Sequence, residues 1–253
     1  MLHFGLIGKK LVHSFSRQYF SRKFEDQSID ADYQLFELSD ISEFLNLISN
    51  QTISGLNVTI PFKKAIVPYL DSLSEEAAAI GAVNTISFNK TENGAKIIGW
   101  NTDAPAFEKE LSGFAPDYKG NALILGTGGA AMAASYVLSE KQLKHITVSR
   151  NPNKEGQLAY NQLNEEIIRS HQLIINATPV GTYPDVESIP DLPWQWIGKQ
   201  HLLFDMVYNP ELTRFLQAGE ERGANVRNGL KMLHTQAELA WEIWQKSLGS
   251  GRE

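Results

Sequence analysis

Apolar positions follow two different rhythms along this chain. In the front half, strand-like runs alternate with stretches at helical spacing. Residues 3–7 read as a first strand. Between residues 16 and 27, Tyr19, Phe20 and Phe24 recur at helical spacing and predict a helix. Residues 33–38 read as a second strand, and Ser39 as the cap of a helix holding Ile41, Phe44, Leu45 and Ile48. Residues 53–60 form a third strand candidate, after which Pro61 stands in a first helical turn, where its missing amide costs little. Residues 75–80 predict a helix stopped by Gly81. Residues 83–88 and 96–100 predict a hairpin around Asn93-Gly94, and residues 105–111 a further helix.

The back half is more regular. Residues 122–125 are wholly apolar and run into a glycine turn, followed by a small-residue helix over 130–138. Residues 146–149, 173–176 and 202–207 are further strands, the last two apolar enough for the inside of a parallel sheet. This alternation predicts βαβ units and an α/β fold. After Gly229, Met232, Leu233, Leu239, Ala240, Ile243 and Trp244 mark one amphipathic helix whose apolar stripe suits either half. The tail from Gly249 to Glu253 is expected to fray.

Composition narrows the picture. At 253 residues, one large domain or two ordinary ones are possible. A net charge of −6 argues against nucleic acid as a partner. With no cysteine, disulfides, thiolate chemistry and cysteine-based zinc sites are excluded, and the reducing cytoplasm fits. The N-terminus reads as a strand rather than a signal peptide, and no apolar run approaches the ~20 residues of a membrane span. The six histidines form no ligand-like pairs.

Two segments carry candidate chemistry. Gly126-Thr127-Gly128-Gly129-Ala130-Ala131 fits the dinucleotide fingerprint, lying between a strand and a helix. Without Cβ atoms, backbone amides can approach a pyrophosphate, and the helix N-terminus adds partial positive charge. A ligand-free tight turn is the plainer alternative. The next strand ends at Ser149-Arg150-Asn151, with Lys154 beyond. Arginine there suits a 2′-phosphate and favours NADP over NAD, unless Arg150 is only a solvated loop charge. Asn176-Ala177-Thr178-Pro179 ends another strand, either as an ordinary turn or as a place where a cofactor passes closely.

The second segment is Asn57-Val58-Thr59-Ile60-Pro61-Phe62-Lys63-Lys64. Lys63 falls in a first helical turn, where the dipole opposes a cation and readies the amine to give up its proton. A surface lysine is the commoner explanation, and Lys64 is its decoy. Asn101-Thr102-Asp103 precedes a helix, so capping competes with a role for Asp103 beside the lysine. Ser14 and Ser16 can bind a carboxylate or simply start a helix.

Together these segments resemble the shikimate dehydrogenase family, nearly end to end. The motifs are His13-Ser14-Phe15-Ser16, Asn57 to Lys63, Gly81-Ala82-Val83-Asn84-Thr85, Asn101-Thr102-Asp103, Gly126 to Ala130, and Asn228-Gly229 with Met232-Leu233 and Gln236-Ala237. The resemblance implies two α/β domains. The first, residues 1–103 completed by helix 230–253, would hold substrate. The second, residues 104–229, would be a Rossmann-like doubly wound NADP domain, with a cleft between the two.

The implied reaction is reversible NADPH-dependent reduction of 3-dehydroshikimate to shikimate, without a metal. Lys63 and Asp103 would be catalytic. Ser14, Ser16, Thr59, Asn84, Asn101, Tyr208 and Gln236 would bind substrate. The cofactor would meet Gly126, Thr127, Gly128, Gly129, Ala130, Ser149, Arg150, Lys154, Ala177, Thr178, Met206, Gly229 and Met232. A monomer or homodimer would fit. Three departures stand out: Gly8-Lys9-Lys10 replaces a Gly-Asn-Pro turn, Arg17 replaces a proline, and Ser149-Arg150-Asn151 replaces Asn-Arg-Thr. Rival readings are a quinate- or NAD-using relative and a non-catalytic regulator of the same fold.

Overall fold

Each half of the chain builds its own six-stranded sheet. A computed structural model describes residues 1–11, 14–91 and 94–249. It divides into two units, Met1–Thr102 with Gln236–Glu253, and Asp103–Thr235. His13, Asn93 and residues 250–253 lie outside the described residues. So do the first residue of the double-serine motif, the expected hairpin tip and most of the expected frayed tail.

The first unit runs β1 (Leu2–Gly8), α1 (Phe15–Asp26), β2 (Ala31–Glu37), α2 (Glu43–Asn50), β3 (Gly55–Val58), α3 (Phe62–Ala65), β4 (Ser72–Leu73), α4 (Glu75–Ile80), β5 (Thr85–Thr91) and β6 (Gly94–Trp100). Its sheet order is β2-β1-β3-β5-β6-β4. β1 pairs in parallel with β2 and β3, whereas β5 lies antiparallel to both β3 and β6. The two-residue side-chain period of β1 sends Phe4 and Leu6 to one face and Ile7 to the other. Phe4 and Leu6 join Phe20, Phe24 and Tyr33, while Ile7 joins Phe44, Leu56, Phe62 and Ile86.

Several expected boundaries move: the strand expected over 53–60 is Gly55–Val58, that over 83–88 is Thr85–Thr91, that over 202–207 ends at Asp205, and the helix expected over 105–111 is Asp103–Phe114. The second helix starts at Glu43 rather than after Ser39, with Ser42 in the cap position but making no side-chain cap bond. Ser39 instead donates its hydroxyl and main-chain N–H to the Glu43 carboxylate.

The second unit runs α5 (Asp103–Phe114), β7 (Ala122–Leu125), α6 (Gly129–Glu140), β8 (His145–Ser149), β9 (Gln157–Ala159), α7 (Glu165–Ser170), β10 (Leu173–Asn176), β11 (Leu202–Asp205), α8 (Arg214–Glu220) and β12 (Asn225–Arg227). The sheet is parallel throughout, in the order β12-β11-β10-β7-β8-β9. Strand order reverses between β7 and β10. In such doubly wound sheets the crevice beyond that reversal is where ligands bind.

The last helix, α9 (Leu230–Gly249), begins in the second unit and ends in the first. Ala237, Ala240, Trp241 and Trp244 pack with Phe4, Phe20 and Phe24, which decides the half that its apolar stripe serves. Trp244 is fully buried and donates its indole N–H to the Ile86 carbonyl at 2.9 Å. Its ring lies on Gly55, where an added Cβ would come within 2.4 Å of it, so only glycine fits there. Lys23 on α1 adds an ion pair to Glu238 on α9, at 2.6 Å.

Candidate active site

In the first unit, buried amides and hydroxyls converge behind the ends of β3, β5 and β6. Asn84 is their hub. Its Oδ1 accepts the Thr102 N–H at 2.7 Å and the Thr85 hydroxyl at 3.2 Å. Its Nδ2 donates to Thr102 Oγ1 at 2.9 Å and to Gln236 Oε1 at 3.5 Å. Asn57 extends the group, donating to Thr85 Oγ1 at 3.2 Å and accepting the Tyr33 hydroxyl at 2.8 Å. Ser16 also hydrogen-bonds Tyr33, whose phenol is pushed up by burial. Among the described residues, no buried side-chain N or O atom lacks a partner. Such a fully satisfied network holds each amide in one orientation.

The structure therefore brings together Asn84, Gln236 and, through Asn57 and Tyr33, Ser16. It separates the two serines by role. Ser14 is the N-cap of α1, accepting the Arg17 N–H at 3.3 Å, whereas Ser16 faces Tyr33. Arg17 is exposed. Asn101 donates to the Ala82 carbonyl at 2.9 Å and braces the segment leading to Asn84. Thr59 follows β3, its methyl 2.7 Å from where a Cβ on Gly8 would stand.

Lys63 is half-buried and Lys64 exposed. The Lys63 carbonyl accepts the Val83 N–H at 2.7 Å, tying the lysine turn to the Asn84 segment. The expected dipole effect does not carry over. α3 has four residues, so its first turn is also its last, and one turn has too few aligned peptides to oppose a cation strongly. Asp103 is buried and is the first residue of α5 rather than its cap. The Thr102 hydroxyl is bonded to Asn84. Lys63 belongs to the first unit and Asp103 opens the second.

In the second unit the site is built from backbone. Gly126 follows β7 at φ +106°, a conformation that L side chains rarely adopt. The Ala177-Thr178 turn crosses it closely: an added Cβ would meet Thr178 Cγ2 at 3.0 Å and the Ala177 carbonyl oxygen at 3.2 Å. Gly128 caps α6, and a Cβ there would meet nothing within 4 Å. The protein's own packing thus does not demand glycine at 128, whereas a pyrophosphate on the amides of Gly128, Gly129 and Ala130 would. Thr127 lies between the two glycines. A dinucleotide fits this turn.

Ser149 ends β8 and accepts the Asn151 N–H at 3.1 Å, shaping the loop on which Arg150 and Lys154 stand exposed. Arg150 acts on the half-buried phenol of Tyr160, which burial pushes up and the guanidinium draws back down. On the other side of the reversal, Met206 follows β11. Gly229 lies against it, and a Cβ at Gly229 would fall 2.5 Å from the Met206 carbonyl oxygen. Its N–H donates to the Val207 carbonyl at 3.2 Å. Met232 is buried in the first turn of α9, and Tyr208 is half-buried beyond Val207.

Known proteins match this arrangement along nearly the whole chain. A family model described as the shikimate dehydrogenase substrate binding domain matches residues 6–86. A Clostridium beijerinckii protein named shikimate dehydrogenase (NADP(+)) is 37% identical, covering 97% of this chain and 93% of that one. A Desulforamulus reducens protein of the same name is 34% identical, covering 95% and 88%. The chain belongs to the shikimate dehydrogenase family. Among solved structures, a shikimate 5-dehydrogenase from Thermus thermophilus, in complex with NADP(H) and shikimate, superposes with a TM-score of 0.83. It is 33% identical, covering 96% of this chain and 93% of that one.

For this family member, reading the sequence missed three groups. Tyr33 and Thr85 look like ordinary strand residues, and only the pairing of β1, β2, β3 and β5 sets them beside Asn57. Asp205 did leave a signal: an acid closing the apolar run Leu202-Leu203-Phe204. It is fully buried and accepts hydrogen bonds from Asn176, Val207 and Thr213. Burial outweighs those donors and pushes its carboxyl up to about 7.

Proposed function

We propose that this protein catalyses the reversible NADPH-dependent reduction of 3-dehydroshikimate to shikimate, a step of aromatic amino-acid biosynthesis. The observation that carries the reading is the match of this chain to named shikimate dehydrogenases over nearly its full length, with buried amides and hydroxyls gathered around Asn84 in its first unit. The domain assignment follows from the same reading. Residues 1–103 with 230–253 hold substrate, and residues 104–229 hold NADP. The protein acts in the cytoplasm as a monomer or homodimer, without nucleic acid or membrane.

Bound NADPH supplies the hydride. Lys63 gives its proton to the oxygen of the reduced carbonyl and takes one back in the reverse direction. Asp103 holds the substrate hydroxyls and orients Lys63. Ser14 and Ser16 bind the carboxylate, with Tyr208 nearby. Thr59, Asn84, Asn101 and Gln236 bind the ring hydroxyls. Ser149, Arg150 and Lys154 take the 2′-phosphate, Gly126 to Ala130 the pyrophosphate, and Ala177, Thr178, Met206, Gly229 and Met232 the nicotinamide side.

The test is a spectrophotometric assay of shikimate and quinate with NADP+ and NAD+ in turn. Reduced cofactor should appear fastest with shikimate and NADP+. No turnover in any arm would end the catalytic reading, and a preference for quinate or NAD+ would reassign substrate or cofactor.

A further inference from the structure

Two segments expected to line the cofactor hang from one carboxylate. Asp205 Oδ1 accepts the Asn176 amide at 3.0 Å and the Val207 N–H at 3.0 Å, and Oδ2 accepts the Thr213 hydroxyl at 2.5 Å. Asn176 passes the restraint on. Its Oδ1 accepts the N–H of Thr178 at 3.1 Å and the Thr178 hydroxyl at 2.6 Å. That is the turn whose Thr178 methyl lies 3.0 Å from a Cβ added at Gly126. In the other direction, Val207 is fixed by its N–H to Asp205, and its carbonyl receives the Gly229 N–H. Thr213 completes the frame, being the N-cap of α8 and accepting the Leu216 N–H at 3.3 Å.

We propose that Asp205 is a positioning residue for NADP binding, holding the turn that crosses Gly126 and the strand end that meets Gly229 in one arrangement. This rests on the reading of the second unit as the cofactor-binding half. A carboxyl suits the post because all three partners donate, and once ionised, above about 7, it is acceptor-only and satisfies them at once. An asparagine in its place presents an NH2 to at least one donor. Because glycines at 126, 128 and 129 leave the phosphate turn with little side-chain bulk of its own, the neighbouring segments must set its shape. A shift of about 1 Å in such a frame is worth orders of magnitude in a bound ligand's productive placement. The groups meeting Asp205 come from β10, from the end of its own strand and from the cap of α8. None of them is titratable, so the carboxyl's own proton is the one charge variable in the frame.

The experiment compares wild type with Asp205→Asn. It measures KM for NADP+, KM for shikimate, kcat and thermal stability. We expect KM for NADP+ to rise on the order of tenfold, with KM for shikimate within about twofold. A variant that loses stability but keeps both KM values overturns the inference, since a merely structural brace behaves that way. If Asp205→Asn does not fold, Thr213→Val and Thr213→Ser decide. A raised KM for NADP+ in the valine variant, restored in the serine variant, supports the inference, and wild-type values in both overturn it. Wild-type protein that fails to bind NADP+ in a direct titration overturns the cofactor reading and this inference with it. Wild type and Asp205→Asn binding NADP+ equally overturn the inference alone.

Discussion

The two units place their polar groups by opposite means. The first uses neutral side chains: Asn57, Asn84, Thr85, Thr102 and Gln236 are buried, and their donors and acceptors close on one another. The second uses backbone, with Gly126, Gly128 and Gly229 kept bare and the fully buried acid Asp205 bracing the segments that lie against Gly126 and Gly229. The difference suits the ligands of the proposed reaction. A ring of hydroxyls needs directional partners at fixed points. A pyrophosphate needs amides at close range and a helix N-terminus.

The largest expected effect breaks the comparison on the chemical side. Lys63→Ala should lower kcat on the order of a thousandfold, while shikimate binding measured by calorimetry persists. Wild-type turnover would remove Lys63 from the mechanism. Next comes pH, which should separate the halves. The folded carboxyl of Asp205 titrates near 7 against an ordinary 3.8. Between those values the folded state holds more protons than the unfolded one, so its contribution to stability is present at low pH and lost as pH rises toward 7. Denaturant melts across that window should show the slope in wild type and a flatter profile in Asp205→Asn. An unchanged profile would place the charge elsewhere.

Asn84→Ala sharpens the first half. It removes the acceptor of the Thr102 N–H and should cost about 1–3 kcal/mol of stability, read from urea midpoints. It should also raise KM for shikimate and leave KM for NADP+ unchanged. The smallest effect is expected from Arg150→Ala. It should weaken NADP+ about tenfold with little change for NAD+, because an exposed guanidinium offers only charge and a fork to a phosphate. Equal losses for both cofactors would undo the phosphate assignment.

Much of this was legible in advance where the causes are local. Residues 122–125 and 173–176 form the strands expected of them, because short runs that are apolar throughout, or up to a closing asparagine, have few other uses. Gly81 stops α4 at φ 72° as a helix-ending glycine should. The short strands β4, β9 and β12 carry no comparable signal, since two or three residues at a sheet's edge have no period to read. Ser39 misled because serine at a helix start and serine bonded to a first-turn glutamate look alike in one dimension.

By itself, then, the sequence determined the alternation of strands and helices, the glycine turn and the motif set of the family. Tertiary structure alone decided which half claims the last helix, that Ser16 reaches Asn57 through Tyr33, and that Asp205 holds both Asn176 and Thr213. Local periodicity records which face of an element is apolar, and it is silent about the partner that covers it. Buried polar contacts between distant residues exist only once the sheet order sets their strands side by side.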